Sequence, residues 1–338
     1  MIEANARKAS SALGSVAQVK LAMQRVALIY NPVSGQYSAR RAAAVQDALA
    51  VLRGAGVSAE VFESATPGGA MAHAEEAIRQ GCDTVLACGG DGTVHAILQS
   101  LVGTPMALGV IPLGTANALA ADLGLIGSPQ RVAEALLRAV PVRVPVGRIH
   151  FQDGAGDSVS RYFIVAAGIG ADAQLMYRMD ARLKRRFGYA LYMVEAFRVW
   201  ATSAFPLFEA TFTSNGSETP RVVEASQLLA VRVRSFGGVL RELAPGATLR
   251  TGSLQLLAFK TRSRFRFLRF LLAVLFRRHT FSAEIELLEV SQVECRASKG
   301  SAARLFVEAD GDVLGTLPVR IDVVSRALTL LIPPDAQP

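Results

Sequence analysis

The run Thr84-Val85-Leu86-Ala87-Cys88-Gly89-Gly90-Asp91-Gly92-Thr93, followed by Val94 to Leu101, decides the fold. Thr84 to Cys88 is an unbroken apolar or β-branched stretch, which suits a strand buried on both faces. The glycines after it impose a sharp turn, and Val94 to Leu101 then has helical composition. Strand, glycine turn and helix in that order build parallel sheets. The N–H groups of such a turn, with the partial positive charge of the helix N-terminus, can approach a phosphate. Asp91 would repel a phosphate directly, so its presence suggests a role through water or Mg²⁺. The plainer alternative is a glycine turn in which Asp91 caps the helix.

The flanking sequence repeats the pattern. Arg25 to Tyr30, Val57 to Phe62 and Ala107 to Ile111 read as strands. Ala39 to Leu52, Ala70 to Arg79, Ala116 to Leu123 and Pro129 to Ala139 read as helices. This alternation predicts an α/β fold, a doubly wound and mostly parallel sheet with helices on both faces. Near Val140 the pattern changes to alternating valine, arginine, leucine and threonine runs. Val142 to Ile149, Arg161 to Ala166, Phe208 to Thr213, Leu228 to Val233 and Ser253 to Phe259 are examples. They predict an antiparallel β-sandwich domain, interrupted by helices around Leu175 to Ala201 and Arg264 to Phe276. The division expected is a tail over 1–24, a nucleotide-binding α/β domain over 25–140 and a β-rich substrate domain over 141–317. A C-terminal strand and tail follow over 318–338, with Ala327 to Ile332 free to join either domain.

Composition narrows the function. The 338 residues are 51% hydrophobic and 19% charged, enough for a large core. The longest apolar runs, such as Phe270 to Phe276, are far shorter than the roughly 20 residues of a spanning helix. The first residues lack the apolar core of a secretory signal. Cys82, Cys88 and Cys295 form no metal pattern and suit a reducing cytoplasm, with Cys88 packed in its strand. The net charge of +8 is concentrated in two places. Residues 260 to 279 hold Lys260, Arg262, Arg264, Arg266, Arg269, Arg277 and Arg278 without an acid, with Phe265, Phe267 and Phe270 between them. A second cluster, Arg178, Arg182, Lys184, Arg185 and Arg186, precedes Tyr189, Tyr192 and Trp200. Bases interleaved with aromatics fit the surface of an anionic membrane. The alternative for each is a solvated face over ordinary core residues. No nucleic-acid motif accompanies them.

Two more loops fall at the ends of neighbouring predicted strands, Asn31-Pro32-Val33-Ser34-Gly35 and Pro112-Leu113-Gly114-Thr115-Ala116-Asn117. Ligands of open parallel sheets bind at that edge. In this order and spacing, the three loops resemble the catalytic domain of the diacylglycerol kinase and sphingosine kinase family, particularly its bacterial soluble lipid kinases. The likeness runs from about Arg25 to Ile332. Phosphofructokinases and NAD kinases share the glycine-aspartate turn but not the full set. The resemblance implies an ATP site lined by Asn31, Pro32, Ser34 and Gly35, by Gly89, Gly90, Asp91, Gly92, Thr93, Val94 and His95, and by Gly114, Thr115 and Asn117. Thr66 lies near a family threonine that touches ATP. His95 and Ala96 replace the more usual Asn-Glu pair, so His95 is either structural support or a catalytic histidine. Mg²⁺ would accompany ATP, with Asp91 its protein ligand.

Val307-Glu308-Ala309-Asp310-Gly311-Asp312 resembles the family's D-G-E segment, which faces the nucleotide across the cleft. Asp310 matches the aspartate and Asp312 replaces the glutamate. Either can accept the proton of a lipid hydroxyl, and the pair is expected to act together. Read alone, the segment is also a β-hairpin turn, which is compatible with presenting a carboxylate. Gly237-Gly238 with Ala244-Pro245 resembles a further family segment. That segment usually runs on to an Asp-Gly pair implicated in a structural Mg²⁺ site. Thr251-Gly252 stands there instead, and Pro145 stands where an aspartate is common, so that metal site is expected to be weak or absent. The function expected is an ATP-dependent lipid kinase acting on a diacylglycerol-like or sphingoid hydroxyl, cytoplasmic and peripherally bound to anionic membrane. An NAD kinase-like enzyme and a non-catalytic lipid- or nucleotide-binding protein are the alternatives.

Overall fold

The computed structural model describes residues 23–32, 38–178, 189–214, 219–236, 244–275, 285–298 and 304–336. The first half is built as its periodicity predicts. Strands β1 (Arg25–Tyr30), β2 (Ser58–Glu63), β3 (Thr84–Gly89) and β4 (Ala107–Pro112) are mutually parallel in the order β2-β1-β3-β4. β3 lies at the centre and every residue of it is buried, which is why it reads as a continuous apolar run. Helices α1 (Ser38–Gly54) and α5 (Pro129–Leu137) pack together, as do α2 (Pro67–Arg79) and α3 (Asp91–Leu101). Between these layers Leu28, Leu49, Leu86, Ile97, Leu98 and Ile111 form a core almost sealed from water. A short α4 (Ala118–Asp122) follows β4.

The second half is antiparallel. β7 (Ala166–Ile169), β10 (Gln227–Val231), β11 (Leu254–Phe259) and β12 (Ile285–Ala297) extend the sheet, and β13 (Phe306–Ala309) and β14 (Asp312–Thr316) finish it as a hairpin. β6 (Ser158–Phe163) pairs with β5 (Val140–Gln152), and β8 (Phe208–Ser214) pairs with β9 (Arg221–Ala225) and β12. Phe163, Phe208, Leu256, Val293 and Ile321 lie in its own core. The predicted strand Arg161 to Ala166 is broken in two. Ile164 and Val165 lie between β6 and β7 because their amides are bonded to a side chain instead of a neighbouring strand.

β15 (Val319–Ile332) joins the halves. Its start pairs with β12, its end runs parallel to β4, and β5 lies antiparallel along nearly all of it. The expected boundary near Val140 therefore falls at the start of β5, a strand shared by both halves. Of the predicted helix over Leu175 to Ala201, the described residues form α6 (Ala171–Arg178) and α7 (Tyr189–Thr202). Arg182, Lys184, Arg185 and Arg186 lie outside the described residues, as do Arg277, Arg278 and the first 22 residues. α8 (Arg264–Leu275) is helical, so its phenylalanines do not alternate between two faces as they would in a strand. Phe265 is exposed while Phe267 turns inward onto Phe205 and Phe259.

Candidate active site

Because β1 to β4 are parallel, the loops after Tyr30, Glu63, Gly89 and Pro112 open on one edge. Asn31 and Pro32 leave β1 half-buried, while Ser34 and Gly35 lie outside the described residues. Beneath this loop Arg41 of α1 reaches the Asn31 carbonyl at 3.5 Å. It is a buried cation that sequence reading missed, and burial lowers its pKa. Thr66 caps α2, its hydroxyl accepting from the Gly69 amide at 3.1 Å.

The glycine turn is made of backbone pressed against backbone. A Cβ on Gly114 would lie 2.4 Å from the Gly90 Cα, so the two loops meet with no side chain between them. Asn117, in the left-handed region at φ 52°, clamps the second loop by accepting from the Gly114 amide and donating to the Gly114 carbonyl, both at 2.9 Å. Thr115 stands exposed at its tip. Gly90, and not Asp91, precedes the first turn of α3 as its cap. Asp91 is the first helical residue, and its Oδ1 accepts from the Ala118 amide at 2.8 Å, joining the starts of α3 and α4. Burial raises the Asp91 pKa, the Ala118 bond offsets part of that, and the charge on Asp310 adds to it. Gly92 faces open space. The side chains of Thr93, Val94 and His95 point into the protein, so toward the edge these residues present only backbone.

Opposite this turn lies the β13–β14 hairpin. Asp310 and Gly311 both have positive φ, 49° and 87°, the conformation a two-residue hairpin turn requires. The Glu308 carboxylate accepts from the Gly311 amide at 2.7 Å and holds the turn closed. The Asp310 carboxylate accepts from the amides of Ile164, Val165 and Ala166 at 2.9, 2.9 and 3.1 Å. Its side chain is 2% exposed and its Oδ2 lies 3.3 Å from His95 Nδ1. The Asp312 side chain is 52% exposed, with Oδ2 3.8 Å from His95 Nε2. One turn further along α3, Gln99 donates to the Tyr162 carbonyl at 2.8 Å and accepts from the Tyr162 amide at 3.0 Å. Asp91, His95 and Gln99 thus form a polar stripe at i, i+4 and i+8 along one face of α3. That spacing was visible in the sequence; its partners 63 and 215 residues away were not.

The residues that depart from the resemblance also gather at one place. Arg232 is fully buried, and its guanidinium donates to the carbonyls of Ser253 at 2.6 Å, Pro145 at 2.9 Å, Thr251 at 3.0 Å and Leu249 at 3.3 Å. Burial lowers its pKa to about 10. Thr251 and Pro145 are therefore both tied to a cation supplied by the chain itself. Gly237 and Gly238 lie outside the described residues.

Residues 25–149 match the diacylglycerol kinase catalytic domain, and residues 163–332 match the YegS C-terminal NAD kinase beta sandwich-like domain. A diacylglycerol kinase of Mycobacterium tuberculosis (strain CDC 1551 / Oshkosh) is 30% identical over 312 residues, covering 91% of this chain and 95% of its own. The chain belongs to the diacylglycerol kinase family. This places it among lipid kinases. A second diacylglycerol kinase, from Bacillus subtilis strain 168, is 25% identical over 314 residues, with 92% and 97% of the two chains covered. The fold is shared with solved structures from Bacillus anthracis str. Sterne. One aligns with a TM-score of 0.74 at 18% identity, over 96% of this chain and 100% of its own. Another, of a diacylglycerol kinase, aligns at 0.65 and 17% identity, over 93% and 99%.

Proposed function

We propose that this kinase transfers the γ-phosphate of ATP to the hydroxyl of a diacylglycerol-like or sphingoid lipid. The observation that carries the reading is the meeting of Asp310 and Asp312 with His95 on the helix that begins at the glycine turn. Phosphoryl transfer to an alcohol needs phosphates held in place and a proton acceptor beside the attacking oxygen. Backbone contact between Gly90 and Gly114, with open space at Gly92, leaves room for phosphate groups over the N-terminus of α3. Asn31, Pro32, Thr66 and Thr115 border that space as nucleotide contacts.

Among the described residues no cluster of three or more His, Cys, Asp or Glu could hold a metal ion. Asp91, whose carboxylate lies at the start of α3 beside the glycine turn, suits Mg²⁺ of the kind held by one or two carboxylates and the substrate's phosphates. When bound, the ion would offset negative charge on the phosphates. Asp310 is buried with both oxygens bonded to backbone amides, whereas Asp312 reaches the surface, so Asp312 is the carboxylate placed to meet the lipid hydroxyl. The hydroxyl oxygen bonds to the γ-phosphorus, its proton passes to Asp312, and the bond to the β-phosphate oxygen breaks to release ADP. Incubation with ATP radiolabelled at the γ-position and a panel of lipids is expected to label a diacylglycerol or sphingoid lipid. ATP binding without transfer to any lipid would support a non-catalytic role instead, and labelled NAD would support the NAD kinase alternative.

We also propose that the enzyme reaches its substrate from an anionic membrane surface, through α7 and α8. No helix among the described residues is long and apolar enough to cross a membrane. Phe197 and Phe265 are 64% and 70% exposed, and Trp200 lies between them at centroid distances of 5.4 and 6.1 Å. Trp200 Nε1 donates to the Arg264 carbonyl and the Arg264 guanidinium donates to the Ala201 carbonyl, both at 2.8 Å, which locks the helices together. Arg198, Arg262, Arg264, Arg266 and Arg269 are exposed around the rings, and α8 contains no acid. Replacing Phe197 and Phe265 together with serine is expected to weaken partition into phosphatidylglycerol vesicles by on the order of 10-fold or more. Unchanged partition would reduce this face to ordinary solvated surface.

A further inference from the structure

The geometry points to His95 as a proton sink for the transfer step: Asp312 takes the hydroxyl proton and passes it to His95 Nε2, where Asp310 stabilises the imidazolium. This rests on the kinase reading above.

The tautomer follows from the contacts. Asp310 accepts three backbone amides and presents Oδ2 as an acceptor to His95 Nδ1. The neutral imidazole therefore carries its proton on Nδ1 and donates it to Asp310. That leaves the Nε2 lone pair aimed at Asp312, 3.8 Å away, a gap that must shorten by about 1 Å for direct transfer. Neither ring position is free to drift. Asp310 is anchored between β6 and β7, and Gln99 donates both to the His95 carbonyl at 3.1 Å and to Tyr162. The imidazole side chain is 6% exposed and Asp312 beside it is 52% exposed. In this relay the proton moves inward through Asp312 and returns the same way after ADP has left.

The charges around the ring favour the step. Burial alone would lower the His95 pKa and Arg161 of β6 acts in the same sense. The hydrogen bond and charge of Asp310, with the charge of Asp312, outweigh both and raise it. Asp312 by itself is an exposed carboxylate and a weak acceptor. Imidazole backed by a buried carboxylate is a stronger one. Only neutral His95 can accept a proton, so activity should climb with pH through the titration of the imidazole and decline below it.

His95→Gln puts an amide of similar size in the same space but cannot titrate. It is expected to lower kcat by on the order of 100-fold at pH above the His95 titration and to remove the limb of the pH–rate profile assigned to the imidazole. KM for ATP should change little. Retention of the wild-type rate and limb would overturn the relay. A second measurement does not depend on turnover: NMR titration of the His95 imidazole in the wild type and in Asp312→Asn. The wild-type ring is expected to titrate above the usual histidine range and to shift downward when the Asp312 charge is lost. A ring indifferent to Asp312→Asn would overturn the juxtaposition even in an active kinase. A wild type that transfers no phosphate would overturn the kinase reading and the relay together.

Discussion

The two walls of the cleft are built from different materials. The wall at the end of β3 is backbone, in which Gly90 and Gly114 touch and the side chains of Thr93, Val94 and His95 are turned away. The wall on the β13–β14 hairpin is side chain, with carboxylates fixed by amides and by an imidazole from the other half. A backbone wall is defined by what is missing and fails when something is added. A carboxylate wall is defined by its bonding partners and fails when one is removed.

Removing a partner should have the largest effect. Asp310→Asn keeps an oxygen for Val165 and Ala166 but turns an NH₂ group toward the Ile164 amide and His95. Turnover is expected to fall on the order of 1,000-fold. Stability should fall by about 1–3 kcal/mol, because a buried amide loses its acceptor. Kinase assays with thermal denaturation check both, and an active, equally stable variant would show that the side-chain wall is not what it appears. Addition to the backbone wall comes next. Gly114→Ala places a methyl group against Gly90, and one loop must move. A displacement of about 1 Å is expected to lower turnover by roughly 100-fold while the melting temperature changes little. Nucleotide affinity measured by calorimetry should weaken in parallel, and wild-type affinity would mean the loops give way without consequence.

The smallest expected effect, on stability, concerns Asp91, the one charged group of the backbone wall. Its pKa is raised in the folded protein, so folding favours the protonated form. The ionised carboxylate therefore costs stability above its folded pKa, and that cost vanishes below the ordinary carboxylate range. Asp91→Asn should abolish transfer yet melt slightly higher than the wild type at neutral pH. The gain should fade as the pH is lowered through the Asp91 titration. A lower melting temperature for Asp91→Asn at neutral pH would mean that the Ala118 bond outweighs burial.

The same contrast explains what could be read in advance. Strands β1 to β4 and the three loops are local features, set by apolar runs of about six residues and by glycines at fixed offsets, and they were visible in the sequence. The division of Arg161 to Ala166 into β6 and β7 was not, because Ile164 and Val165 look like strand residues. What breaks the strand is Asp310, about 145 positions later. The helix over Arg264 to Leu275 was visible, but the inward turn of Phe267 was not, because Phe205 and Phe259, which it packs on, are distant in sequence. Arg41 and Arg232 carried no local signal, since a buried arginine looks in sequence like any surface base.

Arg232 has a consequence for how the molecule is held. It bonds Pro145 on β5, the strand that runs into the first half, to the turn around Thr251 in the second. The positive charge at this joint belongs to a side chain of the protein itself and cannot be washed out, exchanged or competed away. If Mg²⁺ serves at Asp91 as proposed, stripping divalent ions from solution would silence transfer while leaving this fastening in place.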